Sequence, residues 1–124
     1  MTTEIEHFTK MKNIVDFKRT DVEPVETAPA AERIIQGEPK WRSWILYSDQ
    51  GMTGGRWEST PGLWTINYEK WEFLNILEGR GIIRGEDGTE IRLEPGSTAI
   101  ITPGFKGTWE VLETMCKHFF VRVS

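Results

Sequence analysis

The sequence predicts an all-β, single-domain barrel or jelly roll, and three observations carry that expectation. Short apolar runs rich in aromatic and branched residues recur at regular spacing from Trp41 to Val123. Turn residues separate them, as at Ser48–Gly51, Pro61–Gly62, Glu86–Gly88, Glu94–Gly96 and Pro103–Gly104. Helical periodicity is almost absent, so a sheet curled or stacked on itself has to supply the core.

Taken in order, residues 1–28 read as an N-terminal arm ahead of a barrel domain at 29–124. Within the arm, Ile14–Phe17 is an apolar cluster in charged surroundings, expected as an edge strand or a strand lent to a partner subunit. Asp21–Pro29, with Pro24 and Pro29, should be an irregular extended connector. Pro29–Gly37 predicts a short helix, with proline in its first turn and glycine just past its end. Such a helix holds only if it packs on something. Strands follow at Trp41–Tyr47, Gly54–Thr60 and Leu63–Tyr68. Three further runs occupy Glu72–Leu77, Gly81–Arg84 and Ser97–Thr102, and two more occupy Gly107–Leu112 and Cys116–Val123. Eight or nine strands result.

Composition excludes several function classes. A chain of 124 residues suits one core. Its net charge is −4 and its basic residues are scattered, which gives nucleic acid no positive face to meet. No apolar run reaches the length of a membrane span, and the first residues have no secretory apolar core. Cys116 is the single cysteine, so no internal disulfide forms and a cytoplasmic location is expected. Six Trp and six Phe imply a core or cavity built from rings, each burying roughly 150–250 Å². His7 and His118 are the only histidines, which limits any metal site.

Two segments carry a resemblance. Glu72–Gly79 reads EFLNILEG, an E-x6-G pattern, and Gly96–Gly104 reads GSTAIITPG, with Pro103 one place beyond the expected proline position at Thr102. With GEPKWRSWILYSDQG, RWESTPG and GTWEVLE around them, the chain resembles the cupins. More narrowly, it is similar to small single-domain cupins of the (S)-ureidoglycine aminohydrolase cupin-domain type. The resemblance implies a barrel with Glu72 inside, and usually a metal held by that Glu and three His. Those His would fall at Ile66 and Tyr68, or at Thr65 and Asn67, and at Gly107. With three of the four ligands absent, neither metal nor other cofactor is expected, since a lone carboxylate and a phenol make no transition-metal site. The metal-dependent hydrolysis known in that subgroup is therefore not carried over.

The candidate catalytic residues are Glu72, Tyr68 and Lys117. Alternation on an unbroken strand puts Ile66, Tyr68, Glu72, Leu74 and Ile76 on one face. A carboxylate enclosed by rings suits acid–base work near neutrality unless a cation answers it. Tyr68 could share a substrate or hydrogen-bond Glu72. Lys117 and His118 are neighbours on one strand, so only one can face inward. Cupins of the resembled type often carry lysine there, and an inward Lys117 would pair with Glu72. Trp57, Trp64, Trp109 and His118 are the candidate ligand-binding residues. Arg42, Arg56 and Arg80 could each meet an anion, although solvated surface is their default. No nucleophile elbow or phosphate loop is present.

Three readings follow. The first is a cupin that binds a small polar or carboxylate metabolite in an aromatic-lined barrel without a metal. The second is a metal-independent enzyme, an isomerase, lyase or amidohydrolase-like protein using Glu72 as acid or base. The third is an interaction module whose barrel is filled by tryptophan. An open, partly polar cavity around Glu72 separates the first two from the third. A homodimer is expected, because small cupins commonly pair and Ile14–Phe17 has no evident partner.

Overall fold

The structure, a computed structural model, describes residues 13–123. They form nine strands: β1 Val25–Thr27, β2 Ile34–Gln36, β3 Trp41–Asp49, β4 Met52–Ser59, β5 Gly62–Asn67, β6 Trp71–Gly85, β7 Glu90–Leu93, β8 Thr98–Ile101 and β9 Lys106–Arg122. Every pairing is antiparallel. The strands join into one curled sheet of order β1-β3-β4-β9-β5-β2, with β6 lying along β9 and carrying β7 and β8. This is the all-β architecture expected from the spacing, with almost no helix. No helix among the described residues is long and apolar enough to cross a membrane.

Two strands are longer than the sequence runs suggest. The runs on either side of Gly79 are halves of β6, and those flanking Glu113 are halves of β9. The two strands pair from Trp71↔Arg122 to Gly85↔Gly107, with register shifts between Ile76 and Gly81. Gly79 is therefore a bulge residue rather than a turn. Its φ of 88° suits glycine, and a Cβ there would strike the backbone of Thr114 and Met115. The bulge bends the β6–β9 ribbon, so that one half of β9 pairs with β4 and the other with β5. That bend wraps the sheet around its core.

The short helix at Pro29–Gly37 does not form. Only Ala31–Arg33 coils, as one 3-10 turn closed by the Arg33 amide donating to the Ala30 carbonyl at 2.9 Å. Ile34 and Ile35 then enter β2, which pairs with β5 through Ile34↔Trp64 and Gln36↔Leu63. Branched side chains and a waiting strand edge outweigh the helix caps. The edge strand of the arm also lies elsewhere than expected, at Val25–Thr27 on β3. Ile14–Asp16 has no regular structure and Phe17–Lys18 turns, with the Asp16 carboxylate accepting from the Lys18 amide at 2.9 Å. The earlier part of the arm, with His7, lies outside the described residues.

Alternation sorts the first half of β6 and the inner positions of β9, while Gly81, Ile82 and Ile83 past the bulge are all buried. On β6, Glu72, Leu74 and Ile76 are buried, while Trp71 and Phe73 are exposed. On β9, Trp109, Val111, Met115 and Lys117 are buried. Each buried aliphatic side chain contributes about 1.5–3 kcal/mol relative to exposure. Outside, Phe73 has Ile100 and Phe120 as cross-strand partners, so three apolar side chains stand together on the surface.

Candidate functional site

A cavity of about 550 Å³ opens inside the curl, walled by Trp41, Trp57, Trp64 and Trp109. Exposed Asn67, Glu69 and Lys70 mark its mouth, and buried Glu72 and Lys117 its floor. The four indoles form one cluster. Trp64 and Trp109, cross-strand partners on β5 and β9, stack at 6.4 Å with planes 5° apart. Trp57 meets both edge-on, and Trp41 leans on Trp57 and Trp64. The indole N–H groups of Trp41 and Trp109 are buried and have no hydrogen-bond partner.

At the floor, the Lys117 ammonium donates to Glu72 Oε2 at 2.6 Å, and the Tyr68 hydroxyl donates to Oε1 at 2.6 Å. Both charged residues are only 5% exposed. The ammonium also lies 4.5 Å from the Trp57 ring centre and 4.3 Å from that of Trp109. It is thus held by a carboxylate and two electron-rich faces. The β9 register explains why Lys117 points in: its cross-strand partners are Trp57 and Ile76, both on the inner face. Tyr68 sits in the β5–β6 connection. Its amide donates to the Phe105 carbonyl at 2.8 Å, and its carbonyl accepts from Gly104 at 2.7 Å. Burial, then the charge and hydrogen bond of Glu72, hold its phenol well above the ordinary 10.0. Tyr68 is therefore a fixed donor at neutral pH, not a base.

The donor set does not fit the metal of a typical cupin. Both oxygens of Glu72 already accept from an ammonium and a phenol. Among the described residues, no three His, Cys, Asp or Glu group closely enough to hold a metal ion. Gly107, where the second motif would place a histidine, faces Ile66 on β5 and Gly85 on β6. A Cβ there would run into the Arg84 carbonyl oxygen, so no side chain of any kind fits.

Trp57, Trp64 and Trp109 line the cavity with the floor residues, and His118 does not. His118 lies on the outer face of β9, its ring edge-on to Phe17 at 5.3 Å. Burial and the Arg56 charge lower its pKa from 6.5. The three arginines considered from sequence also lie outside. Arg42 pairs with Glu58 and stacks with Arg56 around Trp44, while Arg80 stands 4.0 Å from Glu113. The cavity has instead Arg33 and Trp41. Arg33 was concealed in the apparent helix, and Trp41 looked like an ordinary strand residue.

A curled antiparallel sheet enclosing a carboxylate-floored cavity is the architecture of a cupin. The chain belongs to the family described as EutQ-like cupin domain, which matches residues 47–119. Among solved structures it is similar to a DUF861-family protein of unknown function from Pseudomonas syringae pv. tomato, at 24% identity and a TM-score of 0.76. That match covers 86% of this chain and 46% of the other, so the chain spans about half the length of that relative. It is also similar to the EutQ protein of Clostridium difficile, at 13% identity and TM-score 0.64, covering 84% and 98% of the two chains. A DUF1255 protein of unknown function from Acidithiobacillus ferrooxidans matches at 19% identity and TM-score 0.60, covering 84% and 92%. At these identities the likeness is one of fold. A comparison with curated proteins gives no match.

Proposed function

We propose that this cupin binds a small polar or carboxylate metabolite in its tryptophan-walled cavity, with no metal or other cofactor. The observation that carries the reading is the Glu72–Lys117 pair on the floor of an open cavity. Burying two charges costs several kcal/mol per ion before their attraction offsets it, and apolar residues would fill the same space more stably. A pair kept at that cost beside a cavity of ligand size supports a role toward a guest. The ammonium fills the position a bound cation would take, so the guest is neutral or anionic.

A second reading has one observation in its favour. Glu72 bridges a phenol and an ammonium, which is a proton relay a metal-independent isomerase, lyase or amidohydrolase-like enzyme could use. In it Glu72 and Lys117 move the proton while Tyr68 holds the carboxylate. An interaction module with a filled barrel is disfavoured by the cavity volume. Calorimetric titration and turnover assays against ureido and hydroxy acids test all three. Saturable binding without turnover, lost in Glu72→Gln, supports the binder, and turnover lost in Glu72→Gln supports the enzyme. Absence of both from every acid overturns the proposal.

We place the chain beside the ureidoglycine aminohydrolase cupin-domain type on its E-x6-G and GSTAIITPG segments, as a member without that activity's metal ligands. Residues 29–124 are taken as the cupin domain and 1–28 as its arm. A cytoplasmic location suits the single unpaired Cys116. A homodimer is proposed through the outer face bearing Phe73, Ile100 and Phe120.

A further inference from the structure

Resting on the small-molecule reading above, we propose that the guest is a monocarboxylate and that Arg33 takes its carboxylate at the cavity mouth. Arg33 ends the single 3-10 turn and precedes β2, which pairs with β5 through Ile34↔Trp64. Its Nε and Nη2 both donate to the Thr65 carbonyl, at 3.0 and 2.6 Å. One edge of the guanidinium is thereby fixed on β5, and the remaining N–H donors stay unused. No carboxylate pairs with Arg33 among the described residues. An arginine oriented by backbone and lacking a counter-ion is prepared to receive a planar anion in two parallel hydrogen bonds.

The charges around it agree. Three cations line the cavity, Arg33, Lys70 and Lys117, against two carboxylates, Glu69 and Glu72. The cavity is therefore net positive in a chain whose net charge is −4. Of the cations, Lys117 is neutralised by Glu72, and Lys70 is exposed to solvent. Only Arg33 is both oriented and uncompensated, so the site answers one carboxylate rather than two. Arg33 also opposes the other influences on the Tyr68 phenol, which puts its charge within electrostatic reach of the floor. A guest carboxylate at Arg33 leaves its body among the indoles of Trp57, Trp64 and Trp109. Flat ring faces there suit a planar, unsaturated body.

Three probes of one shape test this by calorimetry: benzoate, neutral benzamide and cationic benzylammonium. Wild-type protein should bind benzoate about tenfold or more tightly than benzamide, and should not bind benzylammonium. Added salt should weaken benzoate and leave benzamide unchanged. Arg33→Met should erase the preference, and Arg33→Lys should retain part of it, with near-ultraviolet circular dichroism reporting the tryptophan cluster. If Arg33→Met does not fold, the wild-type salt series decides. Equal binding of benzoate and benzamide by wild type, or an intact preference in Arg33→Met, overturns the assignment. If equal binding is lost in a Lys117→Met protein whose near-ultraviolet circular dichroism is unchanged, Arg33 alone has been misassigned and the floor site stands. If no probe binds, the monocarboxylate assignment falls, and the ureido and hydroxy acid titrations decide the small-molecule reading separately.

Discussion

Removing one charge of the Glu72–Lys117 pair strands the other among indole rings. Glu72→Gln or Lys117→Met should each lower unfolding free energy by about 3–5 kcal/mol, read from urea denaturation. The double variant Glu72→Met/Lys117→Met should recover most of that loss, because neither charge is then buried alone. His118 gives a separate signature. Its folded pKa lies below the ordinary 6.5, so the folded protein binds this proton less readily than the unfolded chain. Stability is therefore complete above about pH 6.5 and declines as pH falls below it. The groups facing His118 are Arg56 on β4, Asn75 on β6 and Phe17, none of them an acid to reverse the sign. Urea midpoints measured between about pH 7.5 and 5.5 should fall in wild type and stay flatter in His118→Gln. Much of this residue set was legible in the sequence, since alternation alone puts Glu72 with Leu74 and Ile76. The choice between Lys117 and His118 was not, because Phe119 and Phe120 give the same apolar signal on both faces. The register with Trp57 on β4 makes it, and a register is a long-range property.

At the scale of elements, the barrel depends on how closely β6 and β9 approach. Gly107 lies against the Arg84 carbonyl and the Gly85 backbone, with no room for a methyl group. Gly107→Ala should cost about 3 kcal/mol or more by overpacking, measured by guanidinium unfolding. Gly107→His should not gain a bound metal on elemental analysis, because the side chain cannot enter the curl. Strand positions were readable from spacing and turn residues. The continuity of β6 was not, since glycine marks a turn and a bulge alike, nor was that of β9, whose polar Glu113–Thr114 step reads as a break between two apolar runs. Nor was β2, where Pro29 and Gly37 frame a convincing helix. With β2 went Arg33, whose place beside the cavity exists only once that strand pairs with β5.

For the whole molecule, the outer sheet face is the surface through which we propose that two copies assemble. Phe73, Ile100 and Phe120 are 47%, 64% and 38% exposed, with Trp71 further along β6 at 43%. An apolar group of that kind fits a self-complementary two-fold contact. Sedimentation equilibrium should give twice the chain mass, and Phe73→Glu should halve it while leaving the cavity intact. A mass equal to one chain at every concentration would refute the dimer.

The crowding at Gly107 also constrains redesign. A histidine cannot be placed there by one substitution, because the strands would first have to part. A metal-binding version of this barrel would need its ligands on other strands. The chemistry open to the floor as it stands is that of an acid, an amine and a phenol held together.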